Sequence, residues 1–317
     1  MAPSDPFQKI RRSWLLVPAS SPLRIGTAHL SGADVVILDL AELVPDARKP
    51  SARETIEASI QQVKAGGAEV FVQVDPELIY ADLRASVWPG LTGIVIGKIE
   101  SPQLMEEAHQ LLDRLEEERG LLPQSLEIVA ALETSQGNYL GYQIAAASPR
   151  VWGLTLGRAD LVMDLRPEPS GEIHLMQYLM QRLIILSNAA GAVPLGAWWR
   201  EPDRGMLATP ENTYSAGFRG RAIGFRGSMC INEDQVGPLN QAFTPTDFEV
   251  DTARGLLVAY REGVAQGTAS VKWDDRVIDR GAAAQAQALI DLGAACALKD
   301  EDKEAALEGR PVPAPGG

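Results

Sequence analysis

The stretch LEIVAALETSQGN, residues 126–138, decides how this chain folds. It is an apolar run of strand length that ends on a carboxylate, Glu133, and continues into turn-forming residues. A near-continuous apolar run is typical of a parallel strand that is covered on both faces of its sheet. A glutamate in apolar surroundings is costly unless a positive group meets it. The stretch therefore predicts a buried parallel strand and a divalent metal at the end of that strand.

Seven further stretches of the same kind are spread along the chain, and amphipathic helical stretches lie between them, most clearly at 101–119 and 173–190. The predicted strands are 13–17, 34–40, 69–74, 93–98, 126–133, 151–157, 192–198 and a weaker 223–231. Eight β/α units over about 240 residues predict an α/β protein with a TIM (β/α)8 barrel. The alternative is a doubly wound open sheet, which usually has fewer strands.

The pattern changes after residue 243. A helix is predicted over 244–267, a small strand pair over 269–279 and a second helix over 281–299. We therefore assign residues 1–243 to the barrel and 244–300 to a C-terminal helical extension. Residues 301–317, which end in EGRPVPAPGG, are expected to form a disordered tail because they finish in Pro and Gly.

Composition excludes several classes of function. The 317 residues include 29 Lys+Arg and 42 Asp+Glu, a net charge of −13, so nucleic acid and anionic membranes are poor partners. Two cysteines exclude a disulfide framework and a Cys-rich zinc site. Neither a secretory signal nor an apolar run of the roughly 18 residues needed to span a bilayer is present, which indicates a cytoplasmic protein. GxGxxG and Walker A motifs are also missing, which argues against nucleotide binding.

The active site of a barrel lies at the C-terminal ends of its strands, so polar residues there are the informative set. They are Asp39, Gln73, Asp75, Lys98, Glu100, Glu133, Asp160 and Asn232. Glu133 and Asp160, at adjacent strand ends, can reach one Mg2+, which would act as a Lewis acid on a substrate carbonyl. Ligand type alone does not separate Mg2+ from Mn2+. The alternative is that both carboxylates only cap helix starts.

Linked motifs over residues 12–295 carry a resemblance to a known family. In order, they are RRSWLLVPASSPLRI, SGADVVILDLAELVPDARK, ALETSQG, RVWGLTLGRADL, CINEDQV, NQAFTPT and DDRVID. They resemble the citrate lyase β-subunit-like family of the HpcH/HpaI aldolase superfamily. The resemblance implies a TIM barrel and a Mg2+-dependent lyase that cleaves a hydroxyacyl-CoA thioester of malyl, citramalyl or citryl type into a keto acid and a shorter acyl-CoA. It also implies a homotrimer or hexamer in which the extension covers a neighbouring subunit's site.

Carried over residue by residue, the resemblance assigns the metal ligands to Glu133 and Asp160. It assigns the acid/base carboxylate, delivered from the neighbouring subunit, to Asp279. It places coenzyme A phosphates near Arg12 and Arg24. We further assign Asp39 and Gln73 to the catalytic mouth.

Several positions depart from the family pattern, namely Thr27, Ala41, Gln73, Ala159 and Asn232. Gln73 stands where the family has an arginine that grips the keto-acid part of the substrate, and a neutral amide offers neither the charge nor the bidentate fork. Arg158 is a candidate substitute cation, and Lys98 can bind a carboxylate or phosphate or pair with a mouth carboxylate. Two alternatives therefore stay open: an aldolase acting on a free 2-keto acid, or a degenerate barrel that binds a metabolite without turnover.

Overall fold

Eight parallel strands form the central sheet of the computed structural model, which describes residues 6–167, 169–199 and 208–310. The strands are β1 Ser13–Pro18, β2 Val35–Asp39, β3 Glu69–Val74, β4 Gly93–Ile96, β5 Glu127–Ala131, β6 Val151–Thr155, β7 Val193–Leu195 and β8 Ser228–Cys230. Their hydrogen-bonded order is β7-β6-β5-β4-β3-β2-β1-β8. Each overlaps a strand predicted from the sequence, and the weak eighth prediction shrinks to three residues.

The sheet closes on itself where β7 meets the segment before β8. Within the described residues, the closure consists of two backbone hydrogen bonds, from Gly196 N to Gly227 O at 2.7 Å and from Arg226 N to Pro194 O at 3.1 Å. The eight strands therefore form a barrel, and the predicted TIM (β/α)8 fold is confirmed. The seam between β7 and β8 is its most weakly bonded part.

Helices cover the outside of the barrel. They are α1 Pro22–Ala28, α2 Lys49–Lys64, α3 Ile79–Ser86, α4 Pro102–Glu118, α5 Ser135–Tyr139, α6 Gly141–Ala146, α7 Arg158–Leu165, α8 Pro169–Ala190, α9 Pro210–Ile223 and α10 Val236–Phe243. Several begin at a residue whose side chain caps the helix: Ser21, Ser101 and Thr209 accept a backbone N–H at the starts of α1, α4 and α9, each followed by a proline. None of the helices among the described residues is long and apolar enough to cross a membrane.

The barrel interior is filled by apolar side chains and closed at its bottom by Arg11. Its guanidinium, 1% exposed, lies 4.3 Å from the ring centroid of Trp152 and ion-pairs with Glu69 and with Glu127, the latter at 2.6 Å. Trp14 and Phe71 also pack against it. The paired charges fill the end of the barrel opposite the strand C-termini. Residues at that end of a TIM barrel serve stability rather than catalysis.

The C-terminal extension has a small core of its own. It comprises α11 Asp247–Ala265, β9 Val271–Trp273, β10 Arg276–Ile278 and α12 Arg280–Leu307. The antiparallel β9–β10 pair and the two helices bury Leu257, Ile278 and Ala283. Because α12 continues to Leu307, the expectation that residues 301–307 belong to a disordered tail is wrong; residues 311–317 lie outside the described part.

The end of α12 is held against the bottom of the barrel by a buried charge network. Arg12 ion-pairs with Asp34 at 2.8 Å and with Asp300 at 2.5 Å, and Lys303 pairs with Asp34 at 2.7 Å. Arg12 is 2% exposed and directly precedes β1, at the end of the barrel away from the mouth. The expectation that Arg12 binds coenzyme A phosphates is therefore wrong, and its role is to join the barrel to the extension.

Candidate active site

Five successive strand ends bring the predicted residues to one mouth. Asp39 ends β2, Gln73 lies in β3, Lys98 follows β4 and Glu133 follows β5. Asp160 lies in the first turn of α7, directly after β6. A cleft of about 820 Å3 opens over the β2, β3 and β4 side of this mouth and includes Gln73 and Lys98 in its lining.

Glu133 is held close to the backbone of both neighbouring strands. It is 8% exposed, and its Oε2 accepts a hydrogen bond from the N–H of Lys98 at 2.9 Å. A Cβ on Gly157 would lie 2.1 Å from Glu133 Oε1, and a Cβ on Gly97 would lie 3.3 Å from Oε2. Glycines at these two strand ends therefore make room for the carboxylate.

Neither metal-ligand candidate is a helix cap. The side chain of Thr134, not of Glu133, caps α5 by accepting from Gly137 N at 3.1 Å. Gly157 occupies the N-cap position of α7, and Asp160 is the third residue of that helix. The capping alternative for the two carboxylates is thereby removed.

Burial raises the pKa of Glu133 to about 7. The Lys98 N–H opposes this rise, whereas the carboxylates of Glu42 and Asp160 add to it. Glu133 is thus a desolvated carboxylate that faces two like charges, the arrangement in which a divalent cation is most strongly favoured.

Lys98 places an ammonium group among these carboxylates. Its Nζ lies 2.6 Å from Glu42 Oε1 and 3.0 Å from Asp160 Oδ1, and these contacts hold the pKa of Lys98 above its usual range. The residue has φ +46°, a left-handed backbone conformation that is uncommon for a non-glycine residue and is concentrated at functional sites. This conformation allows its N–H to reach Glu133 while its side chain reaches the two other carboxylates.

The donor set fits a divalent ion that keeps open positions. Within the described residues, no three Asp, Glu, His or Cys side chains converge closely enough to hold a metal by themselves. Glu133 and Asp160 offer two hard oxygen ligands, which is the number that Mg2+ commonly takes from a protein while water and substrate complete its octahedron. A buried carboxylate whose pKa stays raised although the Lys98 ammonium lies nearby agrees with such a site.

Asp39 shapes the mouth rather than facing a substrate. It is fully buried, and its two oxygens accept hydrogen bonds from Ala41 N and Leu43 N, both at 2.7 Å. Burial raises the pKa of Asp39 to about 6, although these N–H groups oppose the rise. Asp39 therefore folds the loop that carries Glu42 toward Lys98, and its assignment as a catalytic group is replaced by a positioning role.

Gln73 is buried at the end of β3, and the nearest additional cation of the cleft is Lys49. Lys49 Nζ lies 2.8 Å from Asp75 and 2.9 Å from Asp46. These hydrogen bonds, of which that to Asp46 has the larger effect, raise the pKa of Lys49 to about 12. Sequence reasoning missed Lys49, although it closes the quoted motif that ends in PDARK. Two ammonium groups, those of Lys49 and Lys98, line the cleft beside Gln73.

The remaining predicted residues lie in different surroundings. Arg24 Nη2 donates to Ile231 O at 2.7 Å and so joins α1 to the end of β8 at the mouth. Asn232 begins a 3-10 turn through a capping box with Gln235. The side chain of Arg158 lies outside the described part of the structure.

Asp279 lies in the C-terminal extension, at the opposite end of α12 from the buried charge network of Arg12, Asp300 and Lys303. It is exposed and caps α12, where its Oδ1 accepts from Ala282 N at 2.8 Å. Leu292 of the same helix shares a small cavity with Phe7 and Phe243 at the barrel bottom. At a rise of about 1.5 Å per residue, Asp279 lies about 20 Å beyond that point along α12.

The comparisons with known proteins settle the family. The sequence model of the HpcH/HpaI aldolase/citrate lyase family matches residues 12–233. The chain belongs to this family. The resemblance stated from the motifs is therefore confirmed.

Several relatives and solved structures are similar to this family member along most of its length. The citrate lyase subunit beta of Leuconostoc mesenteroides subsp. cremoris is 28% identical over 300 residues, covering 93% of this chain and 97% of that protein. The L-malyl-CoA/beta-methylmalyl-CoA lyase of Rhodobacter capsulatus is 24% identical over 306 residues, covering 89% and 94%. The protein CitE from Mycobacterium tuberculosis, solved in complex with magnesium, acetoacetate and coenzyme A, has a TM-score of 0.71 at 21% identity, covering 90% and 99%. A citrate lyase from Burkholderia xenovorans LB400 has a TM-score of 0.73 at 17% identity, covering 96% and 94%.

Proposed function

We propose that this protein is a Mg2+-dependent carbon–carbon lyase that cleaves a hydroxyacyl-CoA thioester into a keto acid and a shorter acyl-CoA. The observation that carries the proposal is the buried carboxylate of Glu133, which has a raised pKa and faces Asp160 and Glu42 at the strand ends. The family and the names of two relatives, a citrate lyase subunit and a malyl-CoA lyase, support the same reaction class. A thioester of malyl, citramalyl or citryl type is the proposed substrate.

Glu133 and Asp160 are the proposed ligands of the metal, and Mn2+ can replace Mg2+ on the same oxygen donors. When bound, the metal supplies Lewis-acid stabilisation of the negative charge that develops on the substrate oxygens. Lys98 and Lys49 hold ammonium groups in the cleft beside it, where they can orient a carboxylate. Gln73 offers a neutral amide that donates to a substrate oxygen without supplying charge.

The reaction breaks the bond between the hydroxyl-bearing carbon and the α-carbon of the thioester. The hydroxyl loses its proton as the keto group forms, and the α-carbon gains a proton as the shorter acyl-CoA leaves. Asp279 of a neighbouring subunit is the proposed proton carrier at the α-carbon. Its own-chain position, exposed in the C-terminal extension and about 20 Å along α12 from Leu292 at the barrel bottom, supports delivery to another subunit in a homotrimer or hexamer.

A lyase assay with malyl-, citramalyl- and citryl-CoA, with and without Mg2+, tests the chemistry. We expect release of a keto acid that depends on Mg2+ and is lost in Glu133→Gln. Glu127→Gln is the matched control, because Glu127 begins the same strand at the barrel bottom, where it pairs with Arg11. Below its melting temperature this control should keep the activity. Equal activity of Glu133→Gln and the unaltered protein would refute the proposed metal site.

Subunit complementation tests the role of Asp279. Asp279→Asn preserves the helix cap, because Asn caps as well as Asp, and should abolish turnover without lowering the melting temperature of the protein. Co-expressed Asp279→Asn and Glu133→Gln chains should regain part of the activity, since some mouths then pair an intact metal site with an intact carboxylate. Continued inactivity of mixed oligomers would count against delivery between subunits.

A further inference from the structure

A second cavity, of about 190 Å3, lies at the seam where the barrel closes. Its lining comes from the ends of β6 and β7, the start of β8, the segments that adjoin these strands and helix α8, and it includes Thr155, Leu195, Ala197, Trp199, Phe225 and Met229. No lining residue among those described is charged. The function proposed above uses none of these side chains.

The cavity follows from the short strands and small residues of the seam. β7 and β8 have three residues each, and two of the lining positions after β7, Gly196 and Ala197, carry little or no side chain. A Cβ on Gly196 would lie 2.9 Å from the ring of Phe225, so glycine is needed for that ring to pack there.

The cavity adjoins the carboxylate site. Thr155 and Leu156 line it, and the next residue, Gly157, is the one whose backbone packs against Glu133. The charged cleft with Lys49 and Lys98 lies on the other side of the mouth, over β2 to β4. The cavity and the charged cleft are therefore lined by different strands, and Glu133 lies against Gly157, which directly follows two residues of the cavity lining.

We infer that this cavity receives a hydrocarbon substituent on the hydroxyl-bearing carbon of the substrate, so that the keto acid released carries an alkyl chain rather than a second carboxylate. The inference rests on the proposed lyase function and specifies its substrate class. None of the described lining residues is a cation, so a carboxylate in the cavity would lose its hydration without gaining a cation from them. An apolar cavity of about 150 Å3 can hold a benzene molecule, so the space here suits a chain of about three to six carbons.

Calorimetric titration of the full-length protein with straight-chain 2-keto acids, in the presence of Mg2+, tests this inference. The series runs from pyruvate through 2-oxobutanoate and 2-oxopentanoate to 2-oxohexanoate, with oxaloacetate as the carboxylate-bearing probe. We expect Kd to fall roughly four-fold for each added methylene, and oxaloacetate to bind more weakly than 2-oxopentanoate. Ala197→Leu, which fills the cavity, should flatten the series, whereas the same change at the exposed Ala58 should preserve it.

The outcomes separate this inference from the function on which it rests. A Kd that does not change with chain length, or tightest binding by oxaloacetate, overturns the alkyl cavity and leaves the lyase proposal standing. A dependence of Kd on chain length that persists in Ala197→Leu also overturns the inference. Absence of Mg2+-dependent binding by every keto acid refutes the proposed function and this inference together.

Discussion

The substitution Glu133→Gln should make the metal-free protein more stable at alkaline pH. Burial raises the pKa of Glu133 from its ordinary 4.5 to about 7. As pH rises from 4.5 to 7, the unfolded chain releases this proton before the folded chain does, so the free energy of unfolding falls. At about 1.36 kcal/mol per pH unit, the loss reaches about 3 kcal/mol by pH 8 and stays below about 1 kcal/mol at pH 5. The amide of glutamine can still accept the hydrogen bond from Lys98 N and does not incur this cost.

Differential scanning calorimetry with a chelator at pH 5 and pH 8 measures this effect. For a chain of this length, we expect Glu133→Gln to melt about 5 °C higher than the unaltered protein at pH 8 and within about 2 °C of it at pH 5. Mg2+ at about a hundred times its Kd should then stabilise the unaltered protein by about 2.7 kcal/mol and leave the variant unchanged. A variant that melts lower at pH 8 would show that burying the Glu133 carboxylate carries no such cost, and a variant that responds fully to Mg2+ would show that Glu133 is not a ligand.

Three further substitutions test other parts of the structure. Arg11→Met removes the buried cation that Glu69 and Glu127 share and leaves them only Lys299 and Lys9, so calorimetry should show a loss of about 3 kcal/mol; an unchanged melting temperature would contradict the described ion pairs. Gly157→Ala puts a methyl group against the Glu133 carboxylate and should remove the Mg2+-induced rise in melting temperature. Gly237→Ala is the control, because the added Cβ would meet no neighbouring atom within 4 Å, and it should retain the rise. Lys303→Met should lower the stability by about 3 kcal/mol, because it removes one partner of a buried ion pair, while the exposed Glu304→Ala should change it by less than about 0.5 kcal/mol. Equal effects at positions 303 and 304 would mean that the end of α12 is not anchored.

The barrel could be predicted because its signal is local. Each strand is a short apolar run, and burial on both faces requires that composition whatever the partners are. The helix over residues 301–307 also has a local signal, since EDKEAAL consists mainly of strong helix formers and only the residues after it are rich in Pro and Gly. The role of Arg12 was harder to foresee, because its partner Asp300 is distant in sequence and the pairing depends on where α12 docks.

The candidate site was predictable in the same partial way. Strand-end logic brought Asp39, Gln73, Lys98, Glu133 and Asp160 to one mouth, because parallel strands end on one side. It did not reveal that backbone N–H groups engage both oxygens of Asp39, since those bonds depend on the path of the loop. Cavities are also invisible to sequence patterns, because their volume is what remains after distant side chains have packed.

The seam between β7 and β8 determines where this barrel can loosen. Opening any other strand pair breaks a longer ladder, whereas two backbone hydrogen bonds and a few apolar contacts hold this one among the described residues. Local opening there costs less than global unfolding, so amide protons at the seam exchange with solvent earlier than those of the β1–β5 sheet. The apolar cavity lies along the same seam, so opening of the seam would also open the wall of the proposed substituent pocket.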